Sequence, residues 1–360
     1  LEQRQLRKDD DSILPKVGLA DVPLQMPEPE GSYDADIGAT VYSRGTNGLV
    51  YQQVVLPVPA LSEQELLLLP YYTTLVSEVG CGDLDYLQMQ DRISAESGGI
   101  GASFSAKGRI DDVQDVSGYL IFSGKALARN SKALTQLLRD VYTGVRFDEK
   151  ERIREIIAQV RARREQAVTG SGHALAMGAA AQGLSTGSWL TFRLGGLAGI
   201  RGTKELDKSL KDDKALAEFC DSLAALHDKI RNRHRQFLLI GEDGQLAPML
   251  DDLKSCWQGD SGQAGDAWAM APVNYSTREA WLTSTQVNFC AKAYSTVAVD
   301  HPDAAALTVL GGFLRNGYLH RAIREKGGAY GGGAGQDSVN GVFRFFSYRD
   351  PRLAETLDDF

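Results

Sequence analysis

Three things are scarce in this 360-residue sequence: long apolar runs, cysteine and histidine. No apolar run reaches the roughly 18 residues that a bilayer-spanning helix needs, and the opening LEQRQLRKDDD is charged where a secretory signal would be apolar. The sequence therefore reads as a soluble chain. Its 4 cysteines, Cys81, Cys220, Cys256 and Cys290, are scattered and form no C-x-x-C pair, which suggests neither a zinc ribbon nor a disulfide scaffold and fits a reducing compartment. Among the 5 histidines, His173 has no second histidine or carboxylate following at metal-ligand spacing and reads as a capping or core residue rather than a ligand. Positive charge is in deficit, with 39 Lys and Arg against 47 Asp and Glu for a net −8. Nucleic acid is thus not expected as the main partner, whereas cationic ligands are compatible.

What is present is an ordinary globular composition, 43% hydrophobic and 24% charged, on a chain long enough for about two domains. Residues 1–36 are polar and punctuated by Pro15, Pro23, Pro27 and Pro29, and read as a connecting arm. A first α+β domain is expected over 37–258, a Gly-, Ser- and Ala-rich linker over 259–273, and a second α+β domain over 274–360. Strands over 39–43 and 49–57 flank an Asn47-Gly48 turn signal and read as a hairpin. Ser62 and Glu65 form a capping box that opens an apolar helix running to Gly80, with Pro70 kinking or restarting it. A helix over 83–97 stops at Gly98-Gly99; strands over 101–107 and 117–127 and a helix over 131–142 follow.

Further along, Ile153, Ile156, Ile157 and Val160 give an amphipathic helix over 148–168 whose arginines read as a solvated face. A small apolar helix is expected over 174–184, then a helix over 215–235 with a cationic KIRNRHR end, a strand over 236–241 and a helix over 246–257. In the second domain a strand over 287–299 precedes a helix from Pro302, which Asn316-Gly317 interrupts before a short helix through Leu319 and Ile323 delivers Arg324. Tyr330 is placed on the next strand, and Asn340-Gly341 turns into a strand over 342–348 before a last helix after Asp350-Pro351.

The segment 321–335, RAIREKGGAYGGGAG, joins a cationic helix end to an extended stretch almost without side chains, where another backbone can come close. Arg324 and Tyr330 are its strong polar donors. In structural terms it is a helix stop feeding a strand, with Arg324 on a surface carboxylate; as a phosphate cradle it lacks a GK[ST] ending and a following helix. The stretch 97–105, SGGIGASFS, falls on 326–334, KGGAYGGGA, each preceded by a helix and followed by a Gly-led strand and a Leu-bearing helix. That spacing reads as a domain duplication whose second copy is incomplete.

On LHRAIREKGGAYGGGAG at 319–335, FRFFSYRDPRLAETL at 343–357 and GSGHALAM at 170–177, the chain resembles the pitrilysin and insulinase family of zinc metallopeptidases, most closely its presequence protease branch. The resemblance implies an α+β fold of duplicated pitrilysin-like domains, each a mostly antiparallel sheet packed with helices. It makes this chain the C-terminal half, a third-type domain and part of a fourth, partnered by an N-terminal half of the same protein and by unstructured peptide substrates. The family's H-x-x-E-H zinc motif is absent; the comparable helix reads LLLLPYYTTLV at 66–76. Zinc is expected in the full-length enzyme and none on this segment, which alone should be inactive. What the resemblance carries over is a substrate clamp: Arg324 and Tyr330 assist catalysis and bind substrate, with Gly328, Gly331 and Gly332 leaving room for the peptide backbone. A non-catalytic scaffold of the same family is the alternative. The compartment implied is cytoplasm in a bacterium and organelle matrix otherwise.

Overall fold

The computed structural model describes residues 11–258 and 262–360. A first sheet has the strand order β1-β2-β6-β3-β5-β4, with β1 (Ser32–Asp34), β2 (Ala39–Ser43), β3 (Leu49–Pro57), β4 (Ile100–Gly108), β5 (Val116–Leu127) and β6 (Gln236–Gly241). All pairings are antiparallel except β2 with β6. Burial alternates along β3, so Val50, Val54 and Leu56 face the core, as a half-buried strand requires. The expected hairpin is not formed: β6 lies between β2 and β3. The turn is there, with Asn47 and Gly48 both at positive φ. Its loop, however, straddles the end of β6, where Arg44 N–H donates to the Gly241 carbonyl at 2.9 Å and Gly48 N–H to the Glu242 carboxylate at 3.1 Å. The apolar FLLI of β6 gains more from a central position, with Phe237 and Leu239 buried, than a two-strand ribbon could offer.

Helix α1 (Glu63–Leu75) opens on the expected box: Ser62 N–H donates to Glu65 Oε2 at 2.9 Å and Glu65 N–H to Ser62 Oγ at 3.3 Å. It ends at Leu75, short of Gly80, and passes through Pro70 without a break. An internal proline costs about 3 kcal/mol, and the burial of Leu66, Leu69, Tyr71, Tyr72 and Leu75 on this helix outweighs it. Helices α2 (Tyr86–Glu96), α3 (Ser131–Gly144) and α4 (Lys150–Gly170) fall where the periodicity puts them. The charged face of α4 is more than solvated, because its arginines tie helices together. Arg152 pairs with Glu78 at 2.8 Å, Arg161 with Asp207 at 2.9 Å, and Arg164 donates to Thr203 Oγ1 at 2.7 Å.

Helix α5 (Gly172–Ala181) is followed by α6 (Thr186–Leu194) and α7 (Leu197–Ser209), in a stretch too rich in glycine to show a helical period. Helix α8 (Asp213–Ile230) stops before the basic cluster is complete. Arg235 leaves it and is buried between the Tyr142 and Trp257 rings, 5.1 and 4.6 Å from their centroids, so that part of the cluster is core rather than helix end. Helix α9 (Asp243–Trp257) closes this unit.

The second sheet has the order β7-β9-β8, all antiparallel, from β7 (Ala291–Ser295), β8 (Gly331–Asp337) and β9 (Val342–Tyr348). Helices α10 (Ala304–Leu314) and α11 (Ala354–Asp359) accompany it, around a small core of Leu319, Ile323, Ala329, Ala334 and Phe343. Two expectations are corrected. The strand is confined to 291–295, and Asn316-Gly317 does not interrupt the helix, which continues from α10 as a π-helix over Arg315–Lys326.

Residues 259–261 of the expected linker lie outside the described residues. Beyond them the chain hugs the first unit, with Trp268 buried edge-on to Phe104 and against Gly118. The two units also meet directly, because α5 packs on β7 and β9, and Phe289 fills the space where a side chain on Gly172 would stand. Among the described residues no helix is long and apolar enough to cross a membrane.

Candidate functional site

The turn after the π-helix is built from its glycines. Leu319 and Ile323 anchor the helix in the small core. Gly328 then takes φ +80°, which a side chain would resist, so that its N–H reaches the Arg324 carbonyl at 3.0 Å while Ala329 N–H reaches the Ile323 carbonyl at 3.1 Å. The two bonds, four and six residues back, close the helix end as a Schellman pair does but each one residue wider, in keeping with the wider turn of the π-helix. The closure uses the backbone of Arg324 and leaves its guanidinium exposed. Tyr330 follows one residue before β8 rather than on it, its N–H bonded to the Arg349 carbonyl at 3.4 Å. Its ring stands edge-on to Tyr348, centroids 5.7 Å apart, and it is 69% exposed.

Arg324, Tyr330, Gly331 and Gly332 line one cleft of about 460 Å³, bounded by the π-helix, β8, β9 and α5. Gly328 shapes the turn beside it and does not line it. A side chain on Gly331 would meet nothing within 4 Å, so its absence leaves open floor. One on Gly332 would come within 2.7 Å of Ile323 Cγ2 and 3.1 Å of the Phe346 carbonyl, so that glycine is required by packing. The surface carboxylate expected for Arg324 is not there. Among the described residues neither the Arg324 guanidinium nor the Tyr330 hydroxyl has an ion-pair or hydrogen-bond partner.

His173 joins them from the other unit, which sequence reasoning missed. It neither caps a helix nor sits in the core. Its ring lies 4.9 Å from Tyr348, edge to face, and 5.5 Å from Phe346. Nδ1 is buried without a partner, and burial lowers the pKa. Both observations favour a neutral imidazole with its proton on Nε2, since a proton on Nδ1 would be an unsatisfied buried donor. The signal was present in GSGHALAM, but only the packing of α5 on the second sheet shows where it leads. His320 also lines the cleft, with Nδ1 3.4 Å from Glu325 Oε1.

A catalytic zinc does not fit these residues. Among the described residues no group of three or more His, Cys, Asp or Glu could hold a metal ion, and the cleft brings two imidazoles together with no lining carboxylate. On α1, which carries LLLLPYYTTLV, the two phenols are satisfied inward. Tyr71 bonds Thr203 Oγ1 at 2.9 Å and Tyr72 bonds His227 Nδ1 at 3.0 Å.

The family described as associated with M16 peptidases of subfamily C matches residues 1–206, and the PreP C-terminal domain family matches residues 278–360. The mitochondrial presequence protease of Aspergillus fumigatus is 30% identical over 377 residues, covering 99% of this chain and 35% of that protein. Presequence protease 1, chloroplastic/mitochondrial, of Arabidopsis thaliana is 28% identical and covers 96% and 32%. The chain thus spans about a third of the length of the curated relatives it matches. In fold it is similar to a peptidase M16 inactive domain from Pseudomonas fluorescens, with TM-score 0.58 at 15% identity over 92% of this chain and 77% of that one. It is likewise similar to a conserved protein from Enterococcus faecalis V583, with TM-score 0.60 at 14% identity over 88% and 75%.

Proposed function

Because this chain belongs to the presequence protease branch of the pitrilysin family, as its C-terminal half, we propose that it forms the wall and substrate clamp of an oligopeptidase whose zinc is held by an N-terminal half. Residues 37–258 are its third-type domain and 274–360 the described part of a fourth. Unstructured peptides are the substrates, and the compartment is an organelle matrix, or the cytoplasm in a bacterium. The observation that carries the reading is the cleft: a phenol and a guanidinium, exposed and without partners among the described residues, over a floor of bare backbone.

Each group has a defined task. A guanidinium donates several N–H bonds in a fixed plane, so Arg324 holds a peptide carbonyl and sets the register of the chain. The Tyr330 hydroxyl donates to the oxygen of the scissile carbonyl as water adds and negative charge gathers there, and that interaction strengthens only on the way to the transition state. His173 offers a neutral N–H from the opposite wall. Gly331 lets the peptide backbone lie close, while Gly332 lets β8 pack on the π-helix.

Tyr330→Phe in the assembled two-half enzyme removes the hydroxyl and keeps the ring on Tyr348. The expected outcome is a fall in kcat of about a hundredfold with KM little changed. An unaltered kcat would overturn the oxyanion role of Tyr330 and leave Arg324 as the clamp.

A further inference from the structure

The π-helix brings more positive charge to the cleft than a single-arginine clamp requires. Successive residues of a helix bonded i→i+5 advance by about 80°, against about 100° in an α-helix. Nine positions on, Arg324 therefore returns to within roughly 20° of Arg315, whereas in an α-helix the two would face opposite ways. Both line the cleft, so the change of helix type at Arg315 is what gathers the two guanidiniums. Arg315 lies over the bare strand, its Cγ 3.1 Å from where a side chain on Gly333 would begin. Among the described residues neither arginine has an ion-pair partner, and no Asp or Glu lines the cleft.

We propose that Arg315 and Arg324 together bind a carboxylate of the peptide held in this cleft, an assignment that rests on the clamp reading. Two guanidiniums present the several donors that the two oxygens of a carboxylate accept. Phosphate would find the same donors. A peptide is favoured because the cleft floor belongs to β8, an edge strand of its sheet, whose outer backbone groups suit an extended chain.

Calorimetric titration of the assembled two-half enzyme, stripped of zinc so that it does not cleave, tests the assignment with three probes: an N-acetylated peptide with a free C-terminal carboxylate, the same peptide as its amide, and inorganic phosphate. The acid is expected to bind at least about tenfold tighter than the amide. Arg315→Gln should abolish that difference while leaving the amide within about twofold, and an unchanged melting temperature confirms that the variant is folded. Acid and amide binding equally to the wild-type chain, or losing affinity equally in Arg315→Gln, would overturn the carboxylate assignment and leave the clamp standing. Failure of both peptides to bind overturns both readings. Phosphate binding as tightly as the acid replaces the peptide carboxylate with a free anion.

Discussion

The chain contains the helix, Gly-Gly, strand turn twice, and the two copies differ in the side chains set around it. In the first, α2 ends at Gly98-Gly99, Gly99 takes φ +110°, and β4 pairs with β5; in the second, the π-helix ends at Gly327-Gly328, Gly328 takes φ +80°, and β8 pairs with β9. Yet Gly101 stands where the second copy has Tyr330, and Ala95 where it has Arg324. Two phenols of the first unit, Tyr71 and Tyr72 on α1, are buried and hydrogen-bonded, whereas Tyr330 projects into a cleft. The turn is therefore architecture, and the site is what one copy adds to it.

The sharpest test of that contrast is the buried pair of the first unit. His227 is 4% exposed, and burial pushes its pKa down to about 4 from 6.5, against a smaller opposing pull from the Thr143 backbone. Folding thus favours the neutral ring. The corresponding stability is fully present above about pH 6.5 and is lost as pH falls toward about 4, a change of about 3 kcal/mol. In urea unfolding between pH 7 and pH 4, the wild-type chain should lose about that much more than His227→Gln. Parallel profiles would show that the inward-facing pair does not carry this stability.

A second test compares glycines at equivalent edges. Gly332→Ala forces a methyl to within 2.7 Å of Ile323 Cγ2, whereas Gly101→Ala points it into open space. We expect the first to cost about 2 kcal/mol and the second under about 0.5 kcal/mol, read as shifts in the denaturant midpoint. Equal costs would mean that the bare strand of the second copy is not closely packed on its helix.

How much of this the residues disclosed follows from the range of the interactions involved. Local signals were sufficient for the Ser62–Glu65 box, the Gly-Gly stops and the Asn340-Gly341 turn, because each is settled within a few residues. The supposed hairpin at Asn47-Gly48 failed because β6, nearly 200 positions away, is the better partner. The π-helix was not legible either, since a glycine in a helical pattern reads as a break until packing on β8 decides otherwise. Arg324 and Tyr330 could be paired from the sequence because both lie within one short segment. The place of His173 in the cleft was not legible because its neighbours, Phe346 and Tyr348, come from the other sheet.

His173 supplies the finest test. If His173 merely props Tyr348, a phenyl ring should replace it without loss; if its Nε2–H binds a peptide carbonyl, the ring alone is not enough. His173→Phe keeps the aromatic contacts and removes the donor, while His173→Gln restores an amide N–H near the Nε2 position and loses part of the packing. We expect His173→Phe to weaken peptide binding by up to about tenfold, the worth of one hydrogen bond, and His173→Gln to recover most of it. The opposite order, with Phe harmless and Gln harmful, would make His173 a packing residue. The cleft would then belong to the second copy alone.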